Sequence, residues 1–383
     1  MKRKCSFCKI TENKENPIIS GKENSICRSC AETSLFLMDS ETFRGVSETE
    51  TEIIKTEIIK TPKELKKNLD KFVVGQEKAK KIICVSIYNH IQRINNPELN
   101  LQKKNILLIG NSGVGKTFLV ETIAKNINIP VAIINTTTLT SSGYIGDDVS
   151  IIFERLWQKS DQNIEKAEKG IIFLDEIDKL RFGGGGSNNK DVSGRAVQQE
   201  LLKMLENDEI SFFPNGNKNE NPIKLKTNNI LFISGGAFIG LKEKFGVSIN
   251  SFKKVNEDFS NSRIQELLEN YGMIPEFIGR FPVITELEDI TENMLYKLIT
   301  EVDNNIIQKY KDQFKLSNID IVFSRKFIFE IIKESKELKT GARAVNTIFE
   351  EKLQDFMFNI DSFKNKKINI NYKSDKVIFN ECA

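Results

Sequence analysis

Leu107-Leu108-Ile109-Gly110-Asn111-Ser112-Gly113-Val114-Gly115-Lys116-Thr117 is the stretch whose reading decides the fold. The apolar run from Asn105 to Ile109 predicts a buried strand, and a helix is expected from about Lys116 to Asn126. Between them lies G-x-x-x-x-G-K-T, the phosphate-binding pattern in its proper strand–turn–helix context. Glycines let the backbone curl so that successive N–H groups point inward, and the helix adds its positive end. Gly110, Asn111, Ser112, Gly113, Val114 and Gly115 are therefore expected to cradle a nucleotide, with Phe118 beside it. Lys116 would reach the β- and γ-phosphates, and the Thr117 hydroxyl would ligate Mg²⁺.

Downstream, Ile171-Ile172-Phe173-Leu174-Asp175-Glu176 joins four apolar residues without alternation to two carboxylates. Such a run suits a strand buried on both faces of a parallel sheet, and ligands bind at the carboxyl edge of such sheets. Asp175 would hold Mg²⁺ through its water shell, and Glu176 would orient and polarise the attacking water. An Asp-Glu pair after a strand is commonplace by itself. Downstream of a phosphate loop it points to nucleotide hydrolysis.

Two further buried strands are expected, Val131 to Asn135 and Ile230 to Ile233, the latter ending at Ser234-Gly235-Gly236. Four apolar strands alternating with helices imply an α/β three-layer domain with a parallel sheet, from about 63 to 285. Ahead of it, Leu65, Leu69, Ala79, Ile82, Ile83, Ile87 and Ile91 give helices with apolar faces. Between those helices Phe72-Val73-Val74-Gly75-Gln76-Glu77 reads as a strand-like step. Val73 and Val74 could line an adenine pocket, though by pattern alone they are ordinary core. Pro275 to Pro282 breaks the chain, and residues 286–383 read as a mainly helical small domain, with Val377-Ile378-Phe379 a possible final strand.

The loop candidates are clear from composition. Thr140 to Asp148 holds Tyr144-Ile145 between Gly143 and Gly146, either a mobile tip or a tyrosine folded back on the surface. Gly183 to Lys190 reads as a flexible loop, followed by a helix from Arg195 to Leu205 and a polar insertion from Asn215 to Asn221.

At the other end, Cys5-Ser6-Phe7-Cys8 and Cys27-Arg28-Ser29-Cys30 are two C-x-x-C knuckles. At this spacing Cys5, Cys8, Cys27 and Cys30 can close a tetrahedral zinc site, which substitutes for a core that so short a module cannot build. Four protein ligands leave no open position, so the zinc is structural. Nothing indicates export, which disfavours disulfides. Residues 1–40 form this module, and 41–62 form a linker marked by a short charged duplication, Thr51 to Lys55 and Thr56 to Lys60.

A chain of 383 residues with 39% hydrophobic and 28% charged residues has room for several domains and is not disordered overall. A net charge of +3 argues for neither nucleic acid nor membrane. No apolar run is long enough to span a membrane, and Met1-Lys2-Arg3-Lys4-Cys5 has no apolar stretch behind it, so a cytoplasmic protein is expected. His90, the single histidine, has no partner for a metal and reads as structural.

Together these motifs resemble the ClpX family of zinc-bearing AAA+ protein unfoldases over nearly the whole chain. Besides the cysteines and nucleotide motifs, the resemblance rests on Val74-Gly75-Gln76, Gly143-Tyr144-Ile145-Gly146, Leu174 to Lys179, Asp191-Val192-Ser193-Gly194 and Gly235-Gly236-Ala237-Phe238. It rests equally on Ile274 to Arg280 and Thr340-Gly341-Ala342-Arg343. It implies a homo-hexamer with ATP sites between subunits, Arg280 as a finger reaching a neighbour's site, Arg343 sensing nucleotide from the small domain, and Ser234 at the first sensor position. Tyr144 and Ile145 would grip an unfolded or tagged protein in the pore, with Val192 and Ser193 in a second pore loop spanning Asp191–Arg195. Adaptors on the zinc domain and a ClpP-type peptidase are the further partners implied; no membrane or nucleic acid is.

The chain also departs from the family. The aliphatic-Gly-aromatic tripeptide used for peptidase docking has no convincing copy in 242–272, and Ile239-Gly240-Leu241 matches it only in letters. The basic loop near the pore entrance is absent, and Arg195 stands where the family usually has glutamate. The leading expectation is an ATP-dependent unfoldase and translocase. A AAA+ machine for nucleic acid would want basic pore loops, and a non-catalytic scaffold would not need Lys116, Asp175, Glu176 and Arg280.

Overall fold

Strands that are apolar at every position require cover on both faces, and the fold supplies it. In the computed structural model the described residues are 4–6, 8–11, 17–20, 24–31, 60–140, 147–182, 188–214, 221–241, 257–338, 341–373 and 376–381. They fall in two compact units, Met1–Ile59 and Lys60–Ala383.

In the first unit, β1 (Ile18–Ser20) and β2 (Ser25–Cys27) pair antiparallel. Its apolar core consists of Ile18 and the cysteines, too little to hold a fold without a metal.

The second unit begins with helices α1 (Pro62–Asp70) and α2 (Glu77–Asn95). A capping box at Thr61 and Glu64 starts α1. Then come β3 (Ile106–Ile109), α3 (Lys116–Ile127), β4 (Val131–Asn135), α4 (Ile151–Lys159) and β5 (Ile171–Asp175). Helix α5 (Asn188–Glu206) leads to a hairpin of β6 (Glu209–Phe212) and β7 (Ile223–Lys226), followed by β8 (Leu231–Gly236). Helices α6 (Glu257–Tyr271) and α7 (Pro275–Gly279) precede β9 (Val283–Glu286).

The central sheet is parallel and ordered β9-β3-β8-β5-β4. Alternate residues serve opposite cores. Leu107, Ile109, Ile134, Ile172, Leu174 and Phe232 face one cluster with α4, α5 and α7, while Ile106, Leu108, Ile171, Phe173, Leu231 and Ile233 face the other with α1, α2 and α3. This is the expected three-layer α/β arrangement.

The remainder comprises α8 (Glu292–Thr300), α9 (Ile306–Lys315), β10 (Asp320–Phe323), α10 (Arg325–Glu337), α11 (Ala342–Phe358), β11 (Lys367–Lys373) and β12 (Lys376–Glu381). Its helices enclose a core rich in phenylalanine, with Phe327 and Phe349 edge to face at 5.6 Å. Each such buried ring contributes about 1.5–3 kcal/mol.

Four features differ from the sequence expectation. A fifth strand, β9, follows Pro282; its Thr285 and Glu286 are buried at the sheet's carboxyl edge, so it carries no apolar run. The 286–383 region holds a three-stranded sheet, β10-β11-β12, rather than one terminal strand. Helix α5 starts at Asn188, so Asp191–Arg195 is helical and not a loop. Gly194 accounts for part of this: a Cβ there would meet the Leu180 carbonyl oxygen at 2.7 Å, so only glycine lets the helix lie so close. Finally, Phe72–Gln76 is irregular backbone, not a strand, with positive φ at Gly75 and Gln76. Tyr144, Ile145, the Gly183–Ser187 run and the stretch 242–256 lie outside the described residues. Among the described residues no helix is long and apolar enough to cross a membrane.

His90 is buried on α2, and its Nε2 donates to the Lys169 carbonyl at 3.1 Å. Burial, then the Arg93 charge, push its pKa down to about 3, with Lys103 adding to the same effect. The folded value lies below the unfolded one, so between those values the unfolded chain binds the extra proton. Stability should therefore fall as pH drops from about 6.5 towards 3, by up to about 1.4 kcal/mol per pH unit. Denaturant titrations at several pH values should show this slope in the parent and its loss in His90→Gln. Parallel curves would mean that His90 is not the proton acceptor.

Candidate functional site

The carboxyl edge of β3 opens into the phosphate loop, and backbone conformation there is set by glycine. Gly113 and Gly115 have φ of 79° and 95°, a region that side-chain-bearing residues rarely adopt. Helix α3 starts at Lys116, whose ammonium is buried and donates to the Gly110 and Asn111 carbonyls at 2.6 and 3.1 Å. Burial lowers its pKa, while Asp175 and Asp178 oppose that effect. An anion entering beside it would stabilise the charged form.

The two expected Mg²⁺ ligands meet. Thr117 Oγ1 donates to Asp175 Oδ2 at 2.5 Å, across from β5. A hydroxyl and a carboxylate converging beside a phosphate loop form a hard-oxygen donor set that suits Mg²⁺. Next to them Glu176 sits at φ 59°, held by its own N–H donating to Asp175 Oδ1 at 2.9 Å. A non-glycine residue in this left-handed region is strained, and strain of this kind clusters at functional sites. Asp178 is buried; it accepts from the Ala237 N–H at 3.1 Å and so ties the end of β8 to the carboxylate segment.

These groups line a cavity of 530 Å³, a size that suits a nucleotide. Ser112 to Phe118, Asp175 and Glu176 form its floor, and Val73 and Val74 form one wall. That wall is clamped. Gln76 Nε2 donates to the Glu288 carbonyl at 2.8 Å, and Glu288 N–H donates back to Gln76 Oε1 at 2.8 Å. Lys80, buried and paired with Asp70 and Glu77, donates to the Val73 carbonyl at 3.2 Å. Gly75 sits at φ 65°, a backbone conformation that side-chain-bearing residues rarely adopt, so glycine sets the turn of the Val-Gly-Gln motif.

The C-terminal region closes the cavity. Gly341, at φ 62°, caps α11, and a Cβ there would meet the Gly113 carbonyl oxygen at 3.0 Å. This contact brings Arg343, in the first turn of α11, into the lining. Sequence reasoning did not single out Ile290, Met294, Leu298 and Val302, which also line the cavity. Met294 and Leu298 share a face of α8, Ile290 and Val302 flank that helix, and only the fold shows that the four meet a cavity. Asp303, Asn304 and Lys309 join them from the following turn and α9, without any motif.

Other expected residues stand elsewhere. Gly110 and Asn111 contribute carbonyls to Lys116 but are not in the lining; Asn111 Nδ2 instead donates to Asp289 at 2.6 Å. Ser234 is fully buried in β8, its hydroxyl without a partner among the described residues, and also lies outside the lining. Arg280 follows α7, which Phe277 and Ile278 anchor in the core; its half-exposed guanidinium pairs with Glu206 and is not part of the cavity. Arg195 is exposed and lies over the Phe182 ring at 5.4 Å.

In the first unit the Sγ atoms of Cys5, Cys8, Cys27 and Cys30 lie within 4.8 Å of one another. The thiols of Cys8, Cys27 and Cys5 help push Cys30 up to about 12, Cys8 most strongly. Four sulfurs this close become thiolates together only around a cation, which is the donor set of structural Zn²⁺.

A phosphate loop on a β9-β3-β8-β5-β4 sheet, followed by strand-end carboxylates and a C-terminal helical lid, defines an ATPase of the AAA class. The AAA domain family of the Cdc48 subfamily matches residues 101–284, and the ClpX C4-type zinc finger family matches residues 3–39. A Bacteroides thetaiotaomicron protein, the ATP-dependent Clp protease ATP-binding subunit ClpX, is 36% identical over 98% of this chain and 96% of its own. Its namesake from Treponema denticola is 38% identical over 95% of this chain and 91% of its own. The chain therefore belongs to the ClpX family.

Two outcomes follow from this geometry. Metal analysis should find one zinc per chain, lost in Cys27→Ser or after chelation, while the second unit still binds ATP. Retention of a full equivalent of zinc in Cys27→Ser would exclude the four-sulfur site. Gly341→Val should weaken nucleotide binding at least about tenfold through the clash with Gly113, with the helical signal unchanged. Equilibrium titration with a fluorescent ATP analogue measures this, and unaltered affinity would contradict the contact.

Proposed function

We propose that this chain is an ATP-dependent protein unfoldase and translocase that works as a ring of identical subunits and as the ATPase component of a Clp-type protease. The observation that carries the reading is a division of arginines. Arg343 lines the same cavity as Lys116, Asp175 and Glu176, whereas Arg280 is held on an anchored helix outside it. An arginine so placed has no use at its own site and every use at a neighbour's.

In this reading the phosphates of ATP lie against the loop N–H groups, with Lys116 on the β- and γ-oxygens. Thr117 and Asp175 would hold Mg²⁺, which when bound neutralises phosphate charge. Glu176 takes hydrogen-bonding control of the attacking water and polarises it. Arg280 of one subunit meets the γ-phosphate charge that develops in the next subunit's site. Arg343 and Gly341 report phosphate occupancy to the helical region, whose rotation moves the substrate. Ser234, buried beside Leu107 and Leu174 in the sheet register, is assigned to sensing through β8 rather than by direct contact.

Tyr144 and Ile145 are assigned the grip on the translocating chain, with Val192 and Ser193 at the N-terminal turns of α5 as a second contact. The division into a zinc domain (1–40), linker (41–62), large ATPase domain (63–285) and small domain (286–383) belongs to the same reading, as does a cytoplasmic location. A second reading, a remodeller that acts without a peptidase, is favoured by one observation: 242–272 holds no clear copy of the docking tripeptide.

Glu176→Gln should bind ATP normally and lower turnover about 100-fold or more; hydrolysis at the parent rate would remove the role of Glu176. Arg280→Ala and Lys116→Ala should each be inactive alone, yet a mixture should regain part of the ATPase activity, because sites with an intact Lys116 then border an intact Arg280. No recovery in mixed rings would place Arg280 outside catalysis. Incubation with ATP and a tagged fluorescent protein should abolish fluorescence. Peptide products on addition of a Clp-type peptidase would support the protease component, and fluorescence loss without them the stand-alone remodeller.

A further inference from the structure

A second cavity lies at the opposite edge of the sheet from the phosphate loop. It measures 340 Å³ and sits among the C-terminal half of α2, the 101–104 segment that enters β3, and the first residue of β8. Its polar lining comprises Asn89, His90, Arg93, Gln102, Lys103 and Lys104, together with Ser86, and includes no carboxylate.

Arg93 is only 9% exposed, and its Nε and Nη2 have no acceptor among the described residues. Arginine does not lose its proton in proteins, so α2 carries a fixed, buried positive charge with unanswered donors. Burial alone lowers its pKa, with no carboxylate opposing it. Lys103 adds a second cation. Its ammonium donates to the Thr227 carbonyl at 3.1 Å and lies 4.6 Å above the Phe232 ring. Burial, then Arg93, push Lys103 down to about 7, so it is fully charged at neutral pH only when an anion enters beside it.

The same helix shows how this protein compensates a buried cation that serves structure alone. Lys80, one end of α2, is 2% exposed and is paired with both Asp70 and Glu77. Arg93, at the other end, has no such partner among the described residues, and a buried uncompensated charge is strongly unfavourable. The pattern of the cavity is that of a site completed by an anion.

Its chemistry narrows the anion. Arg93 and Lys103, with exposed Lys104 at the rim, match the charge of a dianion better than a single carboxylate. His90 is neutral, its Nε2–H is used by Lys169, and its Nδ1 acceptor has no partner among the described residues. A hydrogen phosphate ion, unlike a carboxylate, brings a donor as well as acceptors. We propose that this cavity binds a phosphate-class oxyanion, either free or as the phosphate end of a larger molecule, through Arg93 and Lys103. The site is separate from the ATP cavity and shares no lining residue with it.

The full chain, saturated with ADP, would be titrated with inorganic orthophosphate by calorimetry. One ion should bind per chain and raise the melting temperature, and Lys116→Ala should leave this binding unchanged. Arg93→Gln and Lys103→Gln should each weaken it at least about tenfold, the scale of one charge-assisted hydrogen bond. Lys104→Gln, at an exposed position that folding does not depend on, should weaken it several-fold and serves if Arg93→Gln does not fold. Repeating the titration with glycerol phosphate and short-chain polyphosphate distinguishes the sources. Preference for either marks the end of a larger molecule, and preference for orthophosphate marks the free ion; both uphold the site. No saturable binding, or binding that Lys116→Ala abolishes and the Lys103 and Lys104 variants leave intact, would overturn it.

Discussion

The backbone contact between Gly341 and Gly113 is the constraint on which the working parts depend. Both residues have positive φ, and a Cβ on Gly341 would press against the Gly113 backbone at 3.0 Å. Because Gly113 belongs to the glycine loop that lines the cavity, that loop and the first turn of α11 are in direct backbone contact. The bidentate exchange between Gln76 and the Glu288 backbone fixes the opposite wall. The ATP cavity is thus bounded by groups from both regions of the second unit, and binding energy within it can act on their relative position. A site carved into the sheet alone would bind nucleotide without moving anything.

Electrostatics makes the same point in another way. Lys116 is buried among carbonyl oxygens and the carboxylates of Asp175 and Asp178, with the Arg343 charge also felt there. Charges of both signs in one cavity of low polarity interact strongly and respond to whatever enters. Thr117 and Asp175 already touch across the gap between α3 and β5, so their geometry is organised by the protein. The strained φ of Glu176 belongs with this, since the turn that aims its carboxylate is over-determined by the Asp175 hydrogen bond and by buried Ile177.

How much of this could be read from the sequence divides by physical cause. Strands β3, β4, β5 and β8 were legible because burial on both faces demands unbroken apolar runs. Strand β9 was not, because its carboxyl-edge residues, Thr285 and Glu286, are polar yet buried where the sheet meets the site. The phosphate loop, the carboxylates and the cysteines were legible because each chemistry tolerates few residue types at fixed spacing. Ile290, Met294, Leu298 and Val302 carried no signal, since apolar residues in and beside a helix record that a surface is covered but not by what. Helix α5 was read too short: Gly194 looked like a loop residue, but it is glycine to let the helix approach Leu180. Arg343 and Arg280 were given their separate roles from resemblance alone, and the structure adds only that Arg343 lines the cavity while Arg280 stands outside it, paired with Glu206.

Three buried cations show how that separation extends to the whole molecule. Lys80 is neutralised by Asp70 and Glu77 and holds the Val73 carbonyl in the wall of the first cavity. Lys116 is balanced in part by carboxylates and carbonyls, so an arriving polyphosphate completes its environment. Arg93 is balanced by nothing on the chain that it touches through Nε or Nη2 among the described residues. All three meet the same penalty for removal from water, so the extent of internal compensation measures how much each leaves to something outside the chain. By that measure the structural end of α2 is Lys80, and the receptive end is Arg93. One helix therefore runs from the Val73–Val74 wall of the first cavity to a second, positively charged one, so two cavities holding buried cations lie at opposite edges of one sheet.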